Sequence, residues 1–513
     1  MSETNIPSPP SILTHREVIL IISGVVVAMF LAALDQTIVV TAMPTIGRAL
    51  GNPEYLPWII TSYLLASTAV TPLYGKVSDI IGRRITLLFA ITVFIFGSVL
   101  CALAPSLLIL IIARAVQGLG GGGLISLAQT IIADIVSPKE RSRYQVFIAG
   151  VYMSASISGP LLGGFFAEHW HWSMIFWINV PLGILALLMT NGLLKKLPRN
   201  ERPHKLDFLG AALMALASIA MMLALSWGGI HYPWASVQVL GLFAVSALLW
   251  AAFVWRLKTA EEPFIASDIL GNSVVAMGTI AVMLVMGCYI AITAYLPVYM
   301  ELTFGLTASQ SGLSLIPFMA GTVVGAIISG RFMAHSERYK RPATFGLLFS
   351  IAGLGILASL KTTPGIWVVE ILMAGLSIGL GTIFPTTTVS IQNAVHPHQM
   401  GTATGVMGFF RSLGGALIVA AFGAMLFSQI PNLSALQESS GEKLAQIVAS
   451  GEIHNAFRPM FALAAGVLAL ALAAFSQMPE KVLRGGRAVG EGAVGRIGEL
   501  NKVHFYRNRL NKE

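Results

Sequence analysis

The sequence predicts an all-α polytopic membrane protein with fourteen transmembrane helices. Three observations carry this. Of 513 residues, 55% are hydrophobic and only 11% are charged, about half the charged share of soluble domains. So few charges cannot cover a water-exposed surface, which excludes a soluble enzyme and a disordered chain. Apolar runs of bilayer length, about 20 residues, recur along the chain. Basic residues fall in alternate gaps between those runs.

The first six runs lie at 18–41, 56–74, 85–103, 107–132, 146–167 and 174–194. Two more lie at 208–227 and 235–255, and the last six at 274–299, 312–329, 343–360, 366–390, 402–427 and 460–477. Residues 1–16 are polar and contain proline, and the first run is too long for a cleavable signal. An even number of spans puts both termini on one side. With that side inside, inner segments hold 26 of the 32 Lys and Arg residues, and outer segments hold four. A miscounted helix would invert every later loop and erase this bias, which matches the positive-inside rule. The expected location is the plasma (inner) membrane, with both termini cytoplasmic. The net charge of +9 is then topogenic and faces anionic membrane lipids rather than nucleic acid.

The expected organisation follows the loops. A cytoplasmic N-terminus (1–17) precedes an N-terminal six-helix bundle (18–194). A basic loop and two additional, lipid-facing helices occupy 195–271, with Asp207 as N-cap of the seventh helix. A C-terminal six-helix bundle spans 272–478 and includes an outer loop at 428–457. A basic cytoplasmic tail fills 479–513. The two bundles repeat: Arg114-Ala115, Gly120, Gly122 and Ser137-Pro138 match Met373-Ala374, Gly379, Gly381 and His396-Pro397 at a constant offset. Repeated halves are a secondary-transporter plan, with the substrate site at their interface near the midplane.

Some patterns mislead. Gly118 to Gly123 satisfies a dinucleotide-binding glycine pattern but lies in an apolar helix, without the strand such a site needs. No phosphate-binding P-loop occurs, so an ion gradient replaces bound ATP as the expected energy source, with no cofactor. Glu168, His169 and His171 flank tryptophans and read as interfacial residues rather than a metal site. Cys101 and Cys288 lie in apolar runs and offer neither a disulfide framework nor zinc spacing.

The informative residues are polar groups within spans. Asp35 lies deep in the first helix, where an ionised carboxylate facing lipid costs about 3 kcal/mol. It should face the bundle interior or a wet cavity. Arg114 lies at a similar depth in the fourth helix, roughly 12 Å from its end, so the two can meet. A conformational change that separates them would make a proton switch. Glu370 is a second candidate proton carrier. Tyr63, Gln117, Tyr152 and Arg411 are expected to line a substrate cavity between the bundles. The fifth helix carries Gly150, Gly159-Pro160 and Gly163-Gly164; Ala155, Gly159 and Gly163 repeat every four residues and make one smooth face, and Pro160 favours a kink, a seam on which the halves could rock. In the loop between helices two and three, Gly75, Asp79, Gly82, Arg83 and Arg84 are expected to form an inner latch.

These residues together resemble the major facilitator superfamily, and within it the fourteen-span drug:proton antiporter branch. Leu34, Asp35, Thr37, Val39, Ala42 and Pro44 meet the first-helix motif of that branch. Gly75, Asp79, Gly82, Arg83 and Arg84 meet the loop motif, with Ile80 where the family usually has a basic residue. Arg114, Gln117 and Gly118 meet the fourth-helix motif, and the five fifth-helix residues meet the antiporter motif in full. The resemblance covers about residues 16–477 and implies two major-facilitator bundles plus two extra helices. It also implies proton-coupled efflux of amphipathic small molecules by alternating access. Two departures stand out. Ala334 replaces the acid of a second latch, and the second helix offers Thr61, Ser62 and Tyr63 where some relatives place a carboxylate that attracts cations. A narrow-substrate transporter for a metabolite, siderophore or lipid, and a non-transporting receptor, remain alternatives. The receptor would tolerate loss of Asp35 and Arg114. No nucleophile–base pair or metal constellation supports a membrane enzyme. In a host with two membranes, a periplasmic adaptor protein would be a further partner.

Overall fold

A computed structural model describes residues 14–51, 55–196, 207–229, 231–336, 338–429 and 452–483. Most of the expected outer loop and tail lie outside them. Fourteen long helices carry the fold: α1 His15–Leu50, α2 Pro57–Ile81, α3 Arg83–Ala102, α4 Leu107–Ile135, α5 Pro138–His169, α6 Asn179–Leu193, α7 Phe208–Trp227, α8 Val237–Thr259, α9 Ser273–Phe304, α10 Leu315–His335, α11 Arg341–Ser359, α12 Ile366–Ala394, α13 Met400–Gln429 and α14 Glu452–Gln477. No strand occurs among the described residues. Local signals set several starts. Thr14 and Glu17 close a capping box on α1, and Ser137 and Glu140 close one on α5. Asp207 accepts from the Gly210 amide and caps α7, as its position in the sequence suggests.

Among the described residues, thirteen helices are long and apolar enough to cross a membrane. The expected second span, α2, is not one of them. At 25 residues it is long enough, about 37 Å at 1.5 Å per residue. Ser62, Thr68 and Thr71 are buried along it, and this inward polar face lowers its mean hydropathy. Large apolar side chains cover the outside instead: Leu161, Leu188, Leu248 and Ile371 are all at least 70% exposed. Such a surface suits lipid, where only side chains and internally bonded backbone can face the solvent. The chain is an integral membrane protein.

Packing repeats with a period of eight helices. In the first half α4 lies against α2 and α3, while α1 packs on α5 and α6. In the second half α12 lies against α10 and α11, while α9 packs on α13 and α14. Across the halves, α2 meets α13 and α5 meets α10. The repeated glycines explain why the sequence echoes itself. A Cβ on Gly120 would lie 2.4 Å from the Phe94 nitrogen of α3, and one on Gly379 would lie 2.1 Å from the Gly346 oxygen of α11. A Cβ on Gly122 would meet the Ser67 oxygen of α2 at 2.2 Å, and one on Gly381 the Thr322 oxygen of α10 at 2.1 Å. Each pair occupies equivalent close approaches, where backbones touch and no side chain fits.

The hairpin α7–α8 covers the side where α2 meets α13. Here the expectation of two purely lipid-facing helices needs correction. α8 faces outward, but α7 packs on both α2 and α13, with Met214, Ala217 and Met222 buried. Asp207 also binds Arg256 of α8 at 3.0 Å, pinning the two ends of the hairpin.

The close approaches make a prediction. Gly381→Val drives a branched side chain into the Thr322 backbone of α10 and should cost about 1–3 kcal/mol, lowering the melting temperature in detergent. Gly164 has nothing within 4 Å of a built Cβ, so Gly164→Ala should melt like the parent. Equal melting of both variants would contradict this packing.

Candidate functional site

Asp35 is fully buried on α1 and is held by donors from two other helices. Arg114 Nη1 of α4 donates to Asp35 Oδ2 at 2.6 Å. Gln117 Nε2 of α4 and Asn179 Nδ2 of α6 donate to Oδ1 at 2.8 and 2.9 Å. Ser98 of α3 accepts from both amides, at 2.7 and 3.3 Å. Arg114 also donates to Gln117 Oε1 at 2.6 Å and to the Ile59 carbonyl at 3.1 Å. Its guanidinium carbon sits 4.3 Å from the centre of the Tyr63 ring. The pair is 0% and 1% exposed, so neither charge is screened by water. Each charge-assisted bond is stronger than a neutral one, and the cage satisfies the ionised form of both partners.

Arg114 links this cluster to a cavity of about 500 Å³ between the halves. That volume is ordinary for small-molecule sites. α1, α2, α4 and α5 line one side, α9 and α13 the other, and Met222 of α7 contributes. Tyr152 and Arg411 line it as expected. Arg411 lies 5.8 Å from the Phe384 ring centre and beside the Tyr152 hydroxyl. Tyr63 and Gln117 do not line it. Both are buried in the wall behind Arg114, at 1% and 0% exposure, because the Asp35 cage takes their polar groups or ring faces. Gln36, Thr68, Gln129 and Ser156 supply polar atoms to the cavity instead.

The halves are tied together at one end. Asp79, at the end of α2, accepts from the Gly401 and Thr402 amides at 3.0 and 2.7 Å and from the Thr402 hydroxyl at 2.7 Å. Those amides open α13, where the helix dipole favours a carboxylate. Arg83 binds Asp79 and reaches Asp134 of α4 at 2.7 Å. Gly75 lets α2 touch α13, since a Cβ would lie 2.3 Å from the Gly401 oxygen. Gly82, at φ 105°, permits the turn into α3. Arg84 is the exception among the expected latch residues. It binds the carbonyl and side chain of Asn191 within its own half. A second tie lies nearby: Arg141 of α5 donates to Gln392 of α12 at 2.9 Å, and Gln392 donates to Thr404 of α13 at 3.2 Å. Burial pushes the Arg141 guanidinium down to about 10, so it stays charged at neutral pH.

The fifth-helix motif also needs correction. Gly159 and Gly163 face α1, where a Cβ would meet the Thr37 and Thr41 hydroxyls at 2.0 and 2.2 Å. Thr37 donates to the Ala155 carbonyl at 2.9 Å. The smooth face is therefore a seam within one half, against the very helix that carries Asp35. Gly150 and Gly164 have no neighbour within 4 Å of a built Cβ. Pro160 lies inside an unbroken helix. Glu370 lies near the start of α12, in the other half. It lines no part of the cavity and makes no ion pair with any described residue, so it stands apart from the Asp35 cluster.

The comparisons decide the family. The model for the Major Facilitator Superfamily matches residues 25–419. The chain belongs to the major facilitator superfamily. It is 33% identical over 416 residues to the multidrug transporter protein MdtP of Bacillus subtilis, covering 81% of this chain and 76% of that one. It is 32% identical over 432 residues to multidrug resistance protein 3 of the same organism, covering 83% and 84%. A solved bacterial homologue of the iron transporter ferroportin, in an outward-facing state, matches with a TM-score of 0.62 at 11% identity, over 90% of this chain and 99% of that one. That likeness concerns the superfamily fold alone.

Within this superfamily fold, sequence reading missed Asn179, Ser98, Asp134, Thr402, Arg141 and Gln392. Asn179 carried a usable signal, as a polar residue inside an apolar run. The donor role of the α13 amides carried none, because Asp79 and Gly401 lie 322 residues apart.

The buried pair yields a stability prediction. Arg114→Gln leaves Asp35 without its cation and should cost about 3–5 kcal/mol. The double variant Asp35→Asn with Arg114→Gln removes both charges and should recover most of that loss. Melting temperatures in detergent check the cycle. Additive losses would mean that the two residues do not form a coupled pair.

Proposed function

We propose that this protein is a proton-coupled exporter of amphipathic small molecules, working by alternating access. The carrying observation is the Asp35–Arg114 pair, buried at the wall of a ligand-sized cavity between two pseudo-repeated halves. The names of its relatives support drug efflux as the direction. The positive-inside bias supports placing the Asp79 end and both termini on the cytoplasmic side of the plasma membrane. In that orientation the two ties close the cavity on the inside.

The coupling follows from charge accounting. With Asp35 ionised, its cage holds α1, α4 and α6 together through one carboxylate. Protonation of Asp35 removes the charge that neutralises Arg114, and weakens three donor contacts at once. An arginine without a counter-charge in the membrane interior is costly. The first half therefore has two preferred packings, one per protonation state. Because Thr37 of α1 is bonded to α5, and α5 meets α10, a shift of α1 reaches the interface between halves. The energy source is the proton gradient, and no cofactor takes part.

The test uses proteoliposomes with an acidic lumen and a panel of fluorescent amphiphiles. Transporters whose Asp79 end faces outward should draw substrate into the lumen against its gradient. Asp35→Asn should abolish gradient-driven accumulation at least tenfold while leaving the protein folded. Unchanged accumulation in Asp35→Asn would remove this residue from the coupling path.

A further inference from the structure

We infer that the central cavity is built for amphipathic organic anions, with Arg411 as the anchor for a carboxylate or sulfonate head. This rests on reading the cavity as the substrate site. Two strong cations, Arg114 and Arg411, are among the side chains that line it, and no Asp or Glu among the described residues does. Arg114 is already neutralised by Asp35. Arg411, on the opposite half, is not. It has an aromatic ring and a tyrosine hydroxyl beside it, and no ion pair with any described residue. A guanidinium in a membrane protein's interior normally finds a counter-charge, and its planar fork suits carboxylate oxygens in pairs. The one charge missing from this cavity is the one that a ligand would bring.

The cavity also fixes where the rest of the ligand lies. Ser412, Gly415, Ala416 and Val419 follow Arg411 along the cavity side of α13. Arg411 to Val419 spans about 12 Å at 1.5 Å per residue. A second cavity of about 550 Å³ continues that line between α2, α7 and α13, and no charged residue among the described ones lines it. Leu64, Met222, Ala416 and Val419 line both cavities, so the two are contiguous. Ala420 and Gly423 carry the apolar wall further along the same helix, and Trp234 of the α7–α8 loop closes it. The ligand class is therefore a molecule with one anionic head and an elongated apolar body. The additional hairpin serves that body by walling the apolar annex. The lack of a carboxylate among the described lining residues disfavours permanently cationic drugs.

Three probes on one dansyl-alkyl body separate the possibilities: a terminal carboxylate, its methyl ester and a terminal trimethylammonium. Binding is measured by fluorescence to the full chain in nanodiscs of neutral lipid, with empty nanodiscs subtracted and no pH gradient. The wild type should bind the carboxylate about tenfold more tightly than either other probe. Arg411→Gln should erase that preference, and Arg411→Lys should keep part of it, with melting temperatures confirming folded protein. Equal binding of the three probes, no binding of any, or a preference that survives Arg411→Gln would overturn the inference. The assay is independent of coupling. Preference without gradient-driven transport would sink only the proton-coupled reading. Transport without preference would sink only this one.

Discussion

A carboxylate and a guanidinium buried in a hydrocarbon layer must neutralise each other, and most of this structure follows from where that happens. Asp35 and Arg114 lie on helices that are not neighbours in sequence, so α1 and α4 must be held in register. Glycines let α4 seat between α2 and α3, and Gly159 and Gly163 let α5 close on α1. The polar cage then uses Arg114 and Gln117 of α4, Asn179 of α6 and Ser98 of α3. Removing any close approach would move a donor away from a charge that has no water to fall back on.

The same economy governs the interface between halves. The central cavity separates them at mid-depth, and two hydrogen-bonded ties join them at one end. Asp79 uses backbone amides of α13 rather than a basic side chain as its cross-half partner. That choice lets Ile80 stand where the resemblance leads one to expect a basic residue. The charge that matters for joining the halves is the carboxylate, and a helix start receives it. Arg83 holds Asp79 in place from its own half while sharing itself with Asp134.

Thirteen of the spans, the repeat and the meeting of Asp35 with Arg114 were legible in the sequence, because they rest on hydropathy, periodicity and depth along a helix. These are one-dimensional quantities. What a face meets is not one-dimensional. The small face of α5 read as a seam between halves, yet it serves α1 of the same half. Tyr63 and Gln117 read as cavity residues, yet the Asp35 carboxylate and the Arg114 cation next to them draw them into the wall. Arg84 sits beside Arg83 in sequence but points to Asn191, because successive residues on a helix diverge by about 100°. α7 read as peripheral because it lacks charge, whereas apolar Met222 is what the cavity needs there.

The central claim is that the charge on Asp35 selects between packings of the two halves. Spin labels at residues 81 and 396, flanking the Asp79 tie, report the separation of the halves at that end by double electron–electron resonance. In the wild type the distance distribution should shift between two populations as pH is varied. In Asp35→Asn it should be independent of pH. A pH-dependent shift that persists unchanged in Asp35→Asn would contradict the account.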